Sequence, residues 1–172
     1  MTKGIVNAMA DTVLEHPNRD KAESKATKAI VILLLIIAAA LILIVTIGGW
    51  SQLQGAQIVS FVYAILYLGA AYFVSRWNRG VLPVVAGLAL LFSVIAAVAG
   101  PAWFDRDKPG FADPTLDPAL LGLLTLILVP VQLLLVAFAM RGFQQQWNVE
   151  VEVSRDDAGG YGEVGPGQVQ PA

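Results

Sequence analysis

The 172-residue chain is 56% hydrophobic and only 14% charged, with a mean hydropathy of +0.67 and a formal net charge of −2. Water-soluble domains carry roughly 25% charged residues, and a balance this close to neutral argues against nucleic acid as a partner. Cysteine is absent, which excludes disulfides, thiolate metal sites, thiol catalysis and lipid attachment through cysteine.

The chain opens on a polar, basic arm, residues 1–28, with Lys3, Arg19, Lys21, Lys25 and Lys28. Ile5, Met9 and Val13 recur every four residues, with Val6 and Leu14 beside them. That spacing reads either as a short amphipathic helix on a membrane surface or as a frayed tail. The chain's one histidine, His16, lies in this arm, and His16-Pro17 interrupts whatever precedes it. "DKAE", Asp20 to Glu23, has capping-box spacing with Asp20 as the cap, so the first long helix is expected to start before the membrane.

Four apolar runs follow, at 29–50, 58–75, 81–100 and 119–140. Each is about as long as a helix needs to cross roughly 30 Å of hydrocarbon, the second being shortest. None has the polar stripe of a surface helix. The first exceeds the apolar core of a signal peptide and is followed by no A-x-A site, so it reads as an uncleaved span. The expected fold class is an all-α integral membrane protein: four transmembrane helices in two hairpins, with a disordered C-terminal tail.

Charge sets the orientation. The basic arm precedes the first span, Arg76 and Arg79 lie between the second and third, and Arg141 closes the fourth. The first loop, "SQLQGAQ", carries no charge, and the third has only Arg106 and Lys108 as cations. Excess cations stay inside, which puts both termini in the cytoplasm and the 101–118 loop outside a cell membrane. Trp50 and Trp103 at outer ends, with Trp77 and Trp147 at inner ends, are expected as interface anchors.

No Asp, Glu, Lys, Arg or His falls within any of the four runs. Ion-coupled carriers and voltage sensors usually need such groups, and no inverted repeat is evident. Gln132 follows Pro130, which leaves the Leu126 carbonyl without its usual donor. Gln132 can reach Ser93, Tyr63 or Tyr67, and reads as a bond between helices ahead of a hinge or ligand contact. Ala89, Ser93 and Ala97, with Gly100 beside them, form a small-residue stripe for helix packing, within this bundle or against another subunit. Tyr63 and Tyr67, four apart, read as core ahead of a quinone-like pocket.

The third loop, "WFDRDKPGFADPTLDP", is polar, acidic and aromatic. Pro101, Pro109, Pro114 and Pro118 are expected to keep it from being helical, and Trp103, Phe104 and Phe111 to rest it on lipid. Asp105, Asp107 and Asp113 match part of a calcium-loop pattern, but Pro109 and Leu116 stand where ligands are required. Turn formation is the better reading, with Asp117 capping the fourth span. Beyond that span, Val149, Val151 and Val153 alternate with Glu150 and Glu152, a strand period suited to a partner's sheet edge or to plain extended chain. From Ser154 the chain is Gly-rich, acidic and expected to be disordered, repelled from anionic lipid while the basic arm is attracted.

No nucleophile–base pair, P-loop, HExxH or GxSxG motif occurs. The expectation is a non-enzymatic, cofactor-free multi-pass protein, an accessory or scaffolding subunit with the bilayer and a protein partner or second copy as its contacts. A component of a small-molecule or lipid transport system is the alternative. Because the chain lacks cysteine, orientation can be tested directly: Ala112→Cys should react with an impermeant thiol reagent on intact cells and Asn78→Cys should not. Labelling at position 78 alone would invert the topology.

Overall fold

The computed structural model describes residues 12–106 and 113–154. Strand β1 (Thr12–Glu15) leads into a single helical turn, α1 (Pro17–Asp20). Four long helices follow: α2 (Ala22–Gly48), α3 (Ala56–Ser75), α4 (Val81–Phe104) and α5 (Pro118–Gln144). Strand β2 (Val151–Ser154) closes the described chain. All four long helices are long and apolar enough to cross a membrane.

The helices outrun the apolar runs because polar residues at their ends remain helical. Glu23, Lys25 and Lys28 occupy the first two turns of α2, and Arg141 the last turn of α5. The start of α2 differs from the capping-box expectation. Asp20 ends α1, Lys21 is the N-cap of α2, and no side chain caps it. Pro17 takes the first position of α1, where its missing N–H costs nothing, and Asp20 pairs with Lys25 at 3.5 Å on the surface.

The third loop is shorter than expected. Helix α4 runs through Pro101 to Phe104, and Pro118 is the first residue of α5. Pro101 removes only one hydrogen bond near the end of a helix, and Pro118 only an N–H that would be unpaired in any case. Asp117 caps α5: its carboxylate accepts from the N–H groups of Ala119 (2.8 Å) and Leu120 (3.1 Å). The loop is held down where Leu116 N–H donates to the Gly48 carbonyl at 3.1 Å and Ser51 Oγ to the Asp113 carbonyl at 3.1 Å.

Helix α4 packs most extensively on α5, and α2 on both α3 and α5, while α3 and α4 barely touch. The face of α4 turned inward carries Leu82, Val85, Ala86, Ala89, Phe92, Ser93, Ala96 and Gly100. Ala97, expected on this face, is exposed. Seven residues make nearly two helical turns, so Ala96 lies under Ala89, whereas each four-residue step drifts by roughly 40° and carries Ala97 off the contact. The tightest crossing is between glycines. A Cβ on Gly122 would lie 3.1 Å from the Gly100 carbonyl, and one on Gly100 would lie 2.6 Å from Leu126 Cδ2.

The two strands pair with each other. Thr12 faces Ser154, Val13 faces Val153, Leu14 faces Glu152 and Glu15 faces Val151, in antiparallel register. This corrects two expectations. Val13 and Leu14 belong to a strand rather than to an amphipathic helix, while Ile5, Val6 and Met9 lie outside the described residues. The alternating valines find their partner within the chain, and Val149 falls just before β2. Arm and tail, expected to behave oppositely toward lipid, meet in one ribbon; residues 155–172 lie outside the described ones.

Two tryptophans are plugs rather than interface anchors. Trp103 is 2% exposed, packs with Val45 and Leu121, and presses so closely on Gly49 that a Cβ there would meet its ring at 2.3 Å. Trp147 is fully buried, its ring against Gly142. Trp50 is the half-exposed one, edge-on to Phe61. Trp147→Ala should therefore cost about 3–5 kcal/mol, and Trp50→Ala about 1 kcal/mol, read as loss of thermal stability in detergent. Equal losses would contradict the burial.

Candidate functional site

Polar chemistry gathers at the end of the bundle that carries the ribbon. Helix α3 ends there in a Schellman motif: Trp77 N–H donates to the Val74 carbonyl at 2.9 Å and Asn78 N–H to the Phe73 carbonyl at 3.1 Å. The motif requires a left-handed residue, and Trp77 supplies it with φ of 62°. Glycine would be the relaxed choice. The tryptophan is held by what it touches: it meets Trp147 edge-to-face at 5.2 Å, and the Lys28 ammonium sits over its ring at 4.0 Å.

The segment after α5 is fixed from three sides. Arg79 Nε donates to the Phe143 carbonyl at 2.6 Å and its Nη1 to Asn148 Oδ1 at 2.9 Å. From the arm, Arg19 Nε donates to the Trp147 carbonyl at 2.8 Å and Asn18 Nδ2 to the Gln146 carbonyl at 3.1 Å. Gln145 Nε2 donates to Thr27 Oγ1 at 3.0 Å, while its Oε1 accepts from the Trp147 indole at 3.0 Å. His16 Nε2 stands 3.9 Å from the Glu150 carboxylate. The cations counted for orientation thus have structural work as well, and none of those contacts could be read from charge spacing.

In the bundle interior, the Tyr67 hydroxyl donates to Gln132 Oε1 at 2.8 Å, with Gln132 and Tyr67 fully buried. Of the three partners within reach by sequence, Tyr67 is the one engaged; Ser93 Oγ bonds its own helix at the Leu90 carbonyl. Tyr63 lies edge-on to Tyr67 at 5.9 Å and tilted against Phe92 at 4.8 Å, so the aromatic stack bridges α3 and α4 where they otherwise make little contact. Gln132 Nε2 has no partner among the described residues. Pro130 lies inside α5, two residues before Gln132.

Beyond that stack, toward the other end of the bundle, α3 and α4 part around a cavity of about 210 Å³. Ala56 and Val59 on α3, and Phe92, Ile95 and Ala96 on α4, form its sides, with Leu128 of α5 and Ile42 of α2 as its floor. Its hydroxyls are committed to their own helices: Thr46 donates to the Ile42 carbonyl, Thr125 to Leu121 and Ser60 to Ala56. The cavity offers shape and apolar surface, with no free donor directed into it from these three groups.

Asp105 is the C-cap of α4, Asp113 lies in the loop and Asp117 is the cap of α5. Asp107, Lys108, Pro109, Gly110 and Phe111 lie outside the described residues. Among the described residues no group of three or more His, Asp or Glu side chains comes close enough to hold a metal ion. The sites that sequence reasoning missed are the Trp77–Trp147 stack and the glutamines after α5; only the "QQQW" run was available to point to them.

No family model matches the chain, and neither the curated proteins nor the solved structures include a match to it.

Burial gives the Gln132 pair a measurable signature. Tyr67→Phe leaves the Gln132 carboxamide unpaired and should cost about 1 kcal/mol. Adding Gln132→Leu should recover that loss, because both polar partners are then gone. A double variant as unstable as the sum of the singles would contradict a direct bond.

Proposed function

We propose that this is a non-enzymatic multi-pass membrane protein, with its helices threaded as two hairpins and both ends in the cytoplasm, that acts as an accessory or scaffolding subunit for a protein partner. The observation that carries the reading is the ribbon of β1 and β2. Among the described residues it has two strands, so each has an outer edge on which no further described strand pairs. Leu14 stands 60% exposed beside that edge. A third strand from a partner would complete a sheet that two strands alone hold only marginally. The segments that lead into the ribbon are fixed without the partner, by buried Trp147 and by half-buried Arg19 and Arg79, which bond the Trp147 and Phe143 carbonyls.

The bundle supports the same division of labour. Its described interior holds the Tyr67–Gln132 pair and no Asp, Glu, Lys, Arg or His, so it offers a transported ion no charged step. The cavity between α3 and α4 favours a second reading, a component of a lipid or small-molecule transport system whose apolar cargo enters from the bilayer.

Purification in mild detergent tests the choice. A stoichiometric protein should co-purify with the parent and be lost from Leu14→Asp, which replaces the exposed apolar side chain of the ribbon with a charge, while the variant remains membrane-bound. Flux of a lipid or solute across liposomes that hold this chain alone would replace the first reading with the second.

A further inference from the structure

We infer that a second cavity, at the ribbon end of the bundle, is a binding site for a phosphate group. The cavity measures about 280 Å³, at the small end for ligand pockets. Asn18, Lys21, Glu23 and Ser24 form one wall, and Gln144, Gln145 and Gln146 the other. It lies at the N-terminus of α2, a 27-residue helix whose first turn no side chain caps. Such a terminus presents N–H groups and a partial positive charge to an anion.

An open helix end alone would say little. The second observation is Ser24. It lines the cavity at 2% exposure, and its hydroxyl makes no hydrogen bond to the described residues. A nearly buried serine in the wall of a polar cavity, its hydroxyl uncommitted to its own helix, has a donor to offer a ligand there. Lys21 adds a full positive charge, its ammonium resting 2.8 Å from Asn18 Oδ1 with further N–H donors to spare. Amides on the facing wall are neutral donors that suit phosphate oxygens.

Glu23 is the one anion on the wall. Its carboxylate stands 3.9 Å from the Arg141 guanidinium, which offsets its charge. A cation would need the opposite balance, with Lys21 moved away.

Depth identifies two sources for the phosphate. Ser24 precedes the apolar run, which starts at Ala29, by five residues, or roughly 7 Å along a helix. Headgroups occupy about 5–7 Å beyond the hydrocarbon on each side of a bilayer. A phospholipid headgroup would thus meet the cavity from the side, and a free phosphate or soluble phosphate ester from above. The headgroup source rests on the membrane reading; the phosphate chemistry does not.

The test uses the full chain in a neutral detergent, with dioleoyl phosphatidic acid and inorganic phosphate as separate probes and bound probe read by native mass spectrometry and thermal shift. The parent should bind phosphatidic acid, Lys21→Gln should bind about tenfold more weakly, and Glu23→Gln should bind as well or better. Ser24→Leu, which fills the cavity, should also lose binding, and Lys21→Gln keeps the proposal testable should that variant fail to fold. Binding of inorganic phosphate with the same variant pattern supports the site and selects the free source. Binding that is unchanged by Lys21→Gln, or abolished by Glu23→Gln, overturns it, as does absence of binding by both probes. Alkaline carbonate extraction of each variant from native membranes reports on the membrane reading separately: a chain released into the aqueous phase fails that reading while leaving phosphate binding to be scored.

Discussion

The constraint from which the rest follows is that these helices are apolar on the outside as well as the inside. Ile65, Leu91 and Val98 are as apolar as Leu35 or Leu128, yet the first three lie on the surface and the others in the core. Hydrophobic burial against water therefore cannot be what selects one packing over another. When the surroundings are as apolar as the interior, helices associate through close van der Waals fit and a few interhelical hydrogen bonds. The structure uses both. Gly100 and Gly122 let α4 and α5 approach to backbone contact, and Tyr67 and Gln132 tie α3 to α5 in the interior.

That economy explains why the bundle is uneven. Where small residues face each other, α4 and α5 lie tightly together. Where α3 and α4 barely touch, the small side chains Ala56, Ser60, Ala96 and Ala99 leave the space between them unfilled, and a cavity remains. Closing it would need larger side chains on facing positions such as Ala56 or Ala96, which here are small. The same principle governs the loop end, where Trp103 fills the space that Gly49 leaves. Its ring is also covered by Arg106, whose guanidinium lies 4.5 Å above it.

How much of this was legible depends on which signal each feature leaves in a linear chain. Twenty apolar residues in a row are a strong signal, and the four helices follow from it. Helix ends are weaker: "DKAE" correctly places the start of the first helix before the apolar run, and the helix continues through Glu23, Lys25 and Lys28, but its cap is Lys21 rather than Asp20. Ala97 was assigned to the packing face by a four-residue period where the true repeat is 3.6. Trp103 and Trp147 sit near helix ends, and position along the chain does not separate a tryptophan facing lipid from one turned inward to plug a gap. The ribbon was the least accessible. Its strands are four residues each, and the outermost pair, Thr12 with Ser154, lies 142 positions apart (154 less 12). One had a strand period, while Val13 fell into a helical one. Contacts such as Asn18 to Gln146 and Arg19 to Trp147, between arm and tail, bring them together and leave no trace in the linear sequence.

The consequence for function is a separation of duties along the bundle axis. Within the apolar layer the described side chains are quiet: their hydroxyls bond their own helices, and the single polar pair satisfies one of its members in part. At the ribbon end, cations, amides and open backbone edges are crowded into a few turns. Such a crowd is costly to hold together, since Trp77 and Gln146 both adopt left-handed backbone that glycine would accept more readily. Each strained position is bounded by a stack or a hydrogen bond, so the strain is maintained by neighbours from the arm, the α3–α4 connection and the tail at once. Trp147 joins all three: Arg19 of the arm bonds its carbonyl, Trp77 of the α3–α4 connection meets its ring, and it belongs to the tail itself. On the proposed reading, recognition belongs at the ribbon end, and the helices hold that end at a fixed depth.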